Sequence, residues 1–277
     1  MANAFYNGSF ADEREIYIPL SDRCVYFGDG IYDACIGCGK RLFLFERHAE
    51  RFFNNAKRLS IRCPYSADEI RKIINTVSEG IKGTFFVYVQ LSRRGGERAH
   101  TFDEDSYGNL LVTVKPAELP AQDTRLRLIT VPDVRYEMCD VKTLNLLPSV
   151  LAAQFARRSG ADEAVFIRGK SVTECSHSNV HIIRDGRLIT HPADNHILPG
   201  IERWHLIETA RKCGIEVQER TFDKNELYSA DGVIVTSTSK IALAAALVDG
   251  ICYSYSGECE SETLISKMHE DFYSSLL

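Results

Sequence analysis

The chain has 277 residues, 44% hydrophobic and 26% charged, and carries 33 Lys and Arg against 38 Asp and Glu for a net charge of −5. That length is enough to bury a sizeable core and suits two domains or one large one. The acidic balance, with a pI of about 5.9, leaves no electrostatic footprint for nucleic acid. No apolar run reaches the roughly 18 residues of a membrane span, so neither kind of partner is expected.

From the N-terminus, Ala4-Phe5-Tyr6-Asn7-Gly8-Ser9-Phe10 reads as strand, turn and strand, because Asn-Gly favours the tight hairpin turn. Asp12, Glu13, Arg14 and Glu15 precede any long apolar run, which is not the order of a secretory signal. Ile31 to Ile36 and Arg41 to Phe45 form a second predicted hairpin. Its Cys35-Ile36-Gly37-Cys38 has no second pair or nearby histidine to complete a zinc site, so no metal is expected. Nine cysteines, an odd number spread along the chain, fit a reducing compartment, and a cytoplasmic location is expected. Glu46 to Leu59 and Ser66 to Gly80 show helical spacing in Ala49, Phe52, Phe53 and Ala56 and in Ile70, Ile73, Ile74 and Val77. Phe85 to Leu91 and Leu110 to Val114 are strands by their aromatic and β-branched content.

Lys115 to Asp123, with Pro116 and Pro120 and little apolar surface, reads as a linker. Beyond it the pattern predicts strands over Arg127 to Val131, Ala164 to Ile167, Val180 to Ile183, Arg187 to Thr190, Glu216 to Arg220 and Val233 to Thr236. Helices are predicted over Leu146 to Arg158 and Glu202 to Lys212, the second stopped by Cys213-Gly214. The class is α/β in the broad sense, with an α+β N-terminal half.

Three stretches carry chemistry. Cys139-Asp140-Val141-Lys142-Thr143-Leu144-Asn145-Leu146-Leu147 puts a lysine at the mouth of a leucine-rich segment, where desolvation favours the neutral, nucleophilic amine. Val172-Thr173-Glu174-Cys175-Ser176-His177-Ser178-Asn179-Val180 ends a strand-like run on Glu174, ahead of a polar turn. Ile197-Leu198-Pro199-Gly200-Ile201-Glu202-Arg203 opens a helix, where unpaired amides and the dipole favour an anion; on its residues alone it is equally an ordinary helix start.

The first two motifs together resemble the signature of the fold type IV pyridoxal-phosphate enzymes, which include D-amino acid and branched-chain aminotransferases. The resemblance spans essentially the whole chain, through Thr190-His191-Pro192-Ala193 and Leu247-Val248-Asp249-Gly250. It implies a small N-terminal α/β domain (1–117) with a substrate-carboxylate loop, a linker (118–124) and a larger pyridoxal-phosphate-binding pseudo-barrel domain (125–277). It implies Lys142 as Schiff-base lysine and proton shuttle, and Glu174 as partner of the pyridine nitrogen. Arg51, Gly200, the amides of Ile201 and Glu202, and the Ser237-Thr238 pair would take the phosphate. Glu202 departs from the threonine common there. Its side chain should point away and cost the site one hydrogen bond, about 0.5–1.5 kcal/mol.

Arg98-Ala99-His100 matches the arginine-histidine pair of bacterial D-amino acid aminotransferases, and with Tyr32 it implies a clamp on the substrate carboxylate. His177, where close relatives often have serine, would lie near the substrate side chain. In that family the loop serves a neighbouring subunit, so a homodimer is implied. The expected activity is transfer of the amino group of a D-amino acid such as D-alanine to a 2-oxo acid such as 2-oxoglutarate. The alternatives within the fold are branched-chain L-aminotransferase, R-selective amine transaminase and aminodeoxychorismate lyase; a pyridoxal-phosphate-binding protein without turnover is the alternative outside catalysis.

Overall fold

The structure is a computed structural model that describes residues 2–255 and 259–276. The chain divides into two compact units, Met1–Glu118 with Val141–Asn145 and Ser275–Leu277, and Leu119–Asp140 with Leu146–Ser274. The N-terminal elements are strands β1 (Ala4–Tyr6) and β2 (Ser9–Ala11), helix α1 (Arg23–Phe27), strands β3 (Gly30–Cys38) and β4 (Arg41–Leu42), helices α2 (Phe45–Arg58) and α3 (Ala67–Val77), and strands β5 (Thr84–Ser92) and β6 (Asn109–Pro116). They build a six-stranded antiparallel sheet in the order β2-β1-β6-β5-β3-β4.

Local chemistry explains these elements. Asn7 and Gly8, at φ 45° and 94°, make the turn between β1 and β2, the positive-φ conformation that matches strand twist. Helix α3 opens on a capping box, in which the Glu69 amide donates to Ser66 Oγ at 3.3 Å and the Ser66 amide to Glu69 Oε2 at 2.8 Å. Its Ile70, Ile73, Ile74 and Val77 are buried as their spacing predicts, in one core with Phe52, Phe85, Val87 and Leu110. The predicted strand over Arg41 to Phe45 is shorter. Leu44 turns the chain at φ 48° and Phe45 already opens α2, so Phe43 and Phe45 both reach the core from a turn. The linker reading also begins too early, because β6 runs on through Lys115 and Pro116, which pair with Phe86 and Phe85.

The second unit contains β7 (Arg125–Pro132), α4 (Leu147–Arg158), β8 (Glu163–Arg168), β9 (Ser171–Cys175), β10 (Asn179–Arg184), β11 (Arg187–Thr190), α5 (Ile201–Lys212), β12 (Glu216–Glu219), α6 (Lys224–Tyr228), β13 (Gly232–Ser237), β14 (Ile241–Val248), β15 (Ile251–Cys252) and α7 (Glu260–Leu276). Its nine-stranded sheet runs β12-β11-β10-β13-β14-β7-β8-β9, with β15 on β14. The β7–β14, β7–β8 and β11–β12 pairs are parallel. This mixed, curled sheet is the pseudo-barrel the motifs imply. Strand β14 and helix α7 have no counterpart among the predicted elements. Alanine-rich Ile-Ala-Leu-Ala-Ala-Ala-Leu-Val is a weak strand former, held here by two neighbouring strands and burial.

A sequence-distant segment joins the first unit. The Tyr32 amide donates to the Lys142 carbonyl at 3.0 Å and the Leu144 amide to the Gly30 carbonyl at 3.1 Å, with Ile31 bridged to Thr143. Val141–Asn145 thus lines up along the start of β3, and a single cut of the chain at 118–124 does not describe the contacts. Gly30 permits this approach, since a Cβ there would stand 2.8 Å from Leu144 Cδ1 and 2.8 Å from the Leu91 carbonyl oxygen. Gly30→Ala is expected to destabilise the protein by about 1–3 kcal/mol through overpacking, read as a lower urea midpoint at unchanged m-value; an unchanged midpoint would show that the segment is not held this tightly.

Candidate active site

In the second unit, Glu174 lies one residue before the end of β9 with its side chain buried. Its Oε1 pairs with Arg135 Nη1, and its Oε2 accepts from Asn179 Nδ2 and from the Leu198 amide, each at 3.0 Å. Arg135 also meets both oxygens of Asp133 (3.0 and 2.9 Å) and the His196 carbonyl (3.1 Å), and its guanidinium lies over the Phe166 ring at 4.3 Å. Burial by itself raises the Asp133 pKa, but the Arg135 and Arg168 guanidinium groups bring it down to about 2. The same two acids, against the cost of burial, push Arg135 further up. Two carboxylates and two guanidinium groups, of Arg135 and Arg168, therefore share a largely buried site, where losing Arg135 takes the cation from Glu174.

Asn179 ties this site to the start of α5, donating also to the Leu198 carbonyl at 2.9 Å. A Cβ on Gly200 would fall 2.1 Å from Asn179 Oδ1, so only glycine lets the chain pass here and enter the helix. Gly200 caps α5 with no side-chain bond, and the first amides of α5 form the kind of end that suits an anion. The register sets Asn179 of β10 opposite Thr236 of β13, so Ser237 and Thr238 leave the sheet next to the same point. Ile241, a buried β-branched residue at φ 58°, is strained where the Ser237 to Lys240 turn re-enters the sheet.

Glu202 is buried at the head of α5, its Oε2 3.5 Å from His205 Nδ1 one turn on, and His205 Nε2 lies 3.3 Å from Asp271 Oδ2 of α7. Burial lowers the His205 pKa, but Glu202 and Asp271 outweigh it and the net shift is upward. His177 faces Lys240, whose Nζ is 2.9 Å from its Nε2 and 3.1 Å from Oε2 of Glu163. Glu163, wholly buried, also accepts from the His177 amide at 2.9 Å and Ser178 Oγ at 2.9 Å.

In the first unit, Lys142 Nζ sits 4.5 Å from the centroid of the Tyr32 ring, which stacks on Tyr88 at 5.4 Å. Arg51 forks Asp33 through Nε and Nη2, both at 2.8 Å, and His48 Nδ1 meets the same acid at 2.8 Å. The long loop after β5 is pinned by Arg23, which donates to the carbonyls of Ala99 (2.6 Å) and His100 (3.2 Å) while pairing with Asp29 (2.7 Å). Arg98 lies over the Phe27 ring at 5.1 Å, and the His100 ring packs on Phe27 at 5.4 Å. The structure thus groups Lys142 with Tyr32, Glu174 with Gly200 through Asn179, and Arg98 with His100. Sequence reasoning missed Arg135, Asn179, Glu163 and Lys240. The short-range signal for Arg135 was the acid two residues before it, with nothing local to point to Glu174.

Over residues 30–246 the chain matches the family described as Amino-transferase class IV. It is 36% identical over 251 residues to a D-alanine aminotransferase of Listeria monocytogenes serotype 1/2a (strain 10403S), covering 88% of this chain and 87% of that relative. A D-alanine aminotransferase of Staphylococcus aureus (strain MSSA476) is 36% identical over 259 residues, covering 90% of each. Among solved structures, the branched-chain aminotransferase of Thermoproteus uzoniensis with norvaline superposes at a TM-score of 0.91 with 22% identity, covering 98% of this chain and 95% of that one. A putative 4-amino-4-deoxychorismate lyase of Legionella pneumophila gives 0.85 and 22%, covering 95% and 97%. At that identity the likeness speaks for the fold. The chain belongs to the class IV aminotransferases, the fold type IV enzymes of amino-group transfer. The family implies pyridoxal 5′-phosphate, and the donor set of the second unit fits it: an uncapped helix start with a glycine that tolerates no Cβ, two hydroxyl residues and a buried carboxylate.

Two outcomes follow from this charge arrangement. Arg135→Met should cost about 3–5 kcal/mol of stability by taking the cation from buried Glu174 and leaving Asp133 with Arg168 alone, seen as a lower thermal midpoint; a neutral result would show that the pair is not desolvated. Because its folded pKa is raised above the ordinary 6.5, His205 contributes stability that is fully present below about pH 6.5 and is lost as pH rises through the higher folded value. Urea titrations across that window should show stability falling with pH in the wild type and a flatter profile in His205→Gln.

Proposed function

We propose that this protein is a pyridoxal-phosphate-dependent D-amino acid aminotransferase, moving the amino group of a D-amino acid such as D-alanine to a 2-oxo acid such as 2-oxoglutarate. The observation that carries the substrate class is the 36% identity to D-alanine aminotransferases across nearly nine-tenths of the chain. When bound, pyridoxal phosphate supplies an aldehyde carbon for the amino group and a ring that draws charge from the substrate Cα. Lys142 Nζ would hold the aldehyde carbon until substrate displaces it, and the freed amine would then carry the proton between the substrate Cα and that same carbon. Tyr32, beneath that amine at 4.5 Å, orients it. Glu174, with Arg135 as counter-charge, holds a proton on the ring nitrogen.

The amides of Ile201 and Glu202 next to Gly200, with Ser237, Thr238 and Arg51, bind the phosphate. Tyr32, Arg98 and His100 bind the substrate carboxylate, and His177 borders the substrate side chain. The enzyme works as a homodimer in the cytoplasm. Leu147 (68%), Val150 (57%), Leu151 (61%) and Phe155 (51%) leave an exposed apolar face on α4, of the kind a second copy covers, and all nine thiols are free. No helix among the described residues is long and apolar enough to cross a membrane.

Borohydride reduction of the cofactor-loaded protein followed by peptide mapping should place the label on Lys142, and Lys142→Ala should lose both label and turnover. D-alanine should be preferred over L-alanine. Arg98→Ala should raise KM for α-amino acids roughly tenfold or more, at about 1.5–3 kcal/mol per charge-assisted bond, and leave R-1-phenylethylamine little changed. A preference for L-alanine would hand the case to the branched-chain reading.

A further inference from the structure

The loop from β11 to α5 carries a second cluster that the amino-transfer reaction does not use. His191 is 2% exposed, and its Nδ1 lies 2.9 Å from the Val172 carbonyl. A carbonyl only accepts, so Nδ1 must carry the hydrogen, and Nε2 is the position open to another atom. That Nε2 points at Asp194 Oδ2, 3.3 Å away, and His196 Nδ1 stands 3.6 Å from the same oxygen. Asp194 is set for this by its other oxygen, which accepts the His196 amide at 2.9 Å. Three ligand atoms, one on each side chain, therefore lie within 4.8 Å of one another.

We propose that His191, Asp194 and His196 form a binding site for a borderline divalent transition-metal ion of the zinc type, with solvent completing the coordination. Two imidazoles and one carboxylate are the ligands such ions take, at about 2.0–2.2 Å, and around a tetrahedral ion ligand atoms stand about 3.3–3.6 Å apart. Both carboxylate-to-imidazole distances already meet that spacing, and the two imidazole nitrogens lie within 4.8 Å of each other. Supporting hydrogen bonds are present too. The Val172 carbonyl fixes the His191 ring, and Arg203 Nη2 donates to the His191 carbonyl at 2.8 Å. Asp194 and His196 are half-buried and give the ion a way in.

The position gives the site a consequence. The same loop offers the His196 carbonyl to Arg135, the Asn195 carbonyl to the Cys139 amide at 3.0 Å, and the Leu198 amide to Glu174. An ion that cross-links residues 191, 194 and 196 stiffens the segment that fixes Glu174, and so stabilises the folded protein without touching the substrate.

The test uses tag-free, cofactor-loaded protein titrated with Co2+ in the visible and with Zn2+ by calorimetry. One equivalent should bind, with ligand-field absorption and no thiolate-to-cobalt charge-transfer band, and the thermal midpoint should rise. Asp194→Asn and His196→Asn should each weaken binding about tenfold or more and abolish the shift in midpoint, while their metal-free midpoints show that they fold. Absence of a stoichiometric ion, binding unchanged in both variants, or a thiolate band tracing the ion to cysteine would overturn the site.

Discussion

The second unit depends on burying Glu174 as a hydrogen-bonded acid beside a positive charge. A carboxylate taken out of water costs several kcal/mol unless its oxygens are met, and here each oxygen has a dedicated partner: Arg135 on one, Asn179 and the Leu198 amide on the other. These partners come from three places in the chain. Satisfying one side chain therefore fixes the segment after β7, the start of β10 and the approach to α5. Asn179 shows how tightly the constraints are linked. Its amide nitrogen serves Glu174 and the Leu198 carbonyl, and its oxygen is what forbids a side chain at residue 200. Holding the acid and opening α5 are one packing problem.

Lys142 is governed by a different constraint. The strand-like pairing of Val141–Asn145 with the start of β3 places the lysine by backbone bonds, and the Tyr32 ring then faces its amine. Backbone pairing positions a reactive side chain more firmly than a loop of that length would. Arg51 is likewise fixed on α2, by its fork on Asp33, which His48 also meets. Burial raises the Asp33 pKa, yet Arg51 and His48 overcome it and leave the acid well below the usual carboxylate range.

Glu202 and His177 each take partners within the second unit. Glu202 does not face the amides beside it; its carboxylate goes to His205, which in turn reaches Asp271, so the helix start keeps its positive end. His177 is joined to Lys240 and Glu163. The Lys240 ammonium offsets the buried Glu163 carboxylate and holds the His177 ring at the polar turn after Glu174.

The helices α2 and α3, the β1–β2 hairpin and most strands were legible because each rests on local rules: spacing of apolar residues, a capping box, an Asn-Gly turn. The family was legible because the motifs around Lys142 and Glu174 are contiguous. Strand β14 was not, since its alanines carry no strand preference and only flanking strands make it one. Arg135 and Asn179 were invisible as partners of Glu174 because nothing in a linear chain marks which buried charge will meet which. The motifs were enough for the family and its fold type. The tertiary structure alone decided what holds Lys142 and Glu174, which is why Val141–Asn145 belongs with β3 and Arg135 with Glu174: burial makes every desolvated charge and backbone group find a partner, wherever in the chain that partner lies.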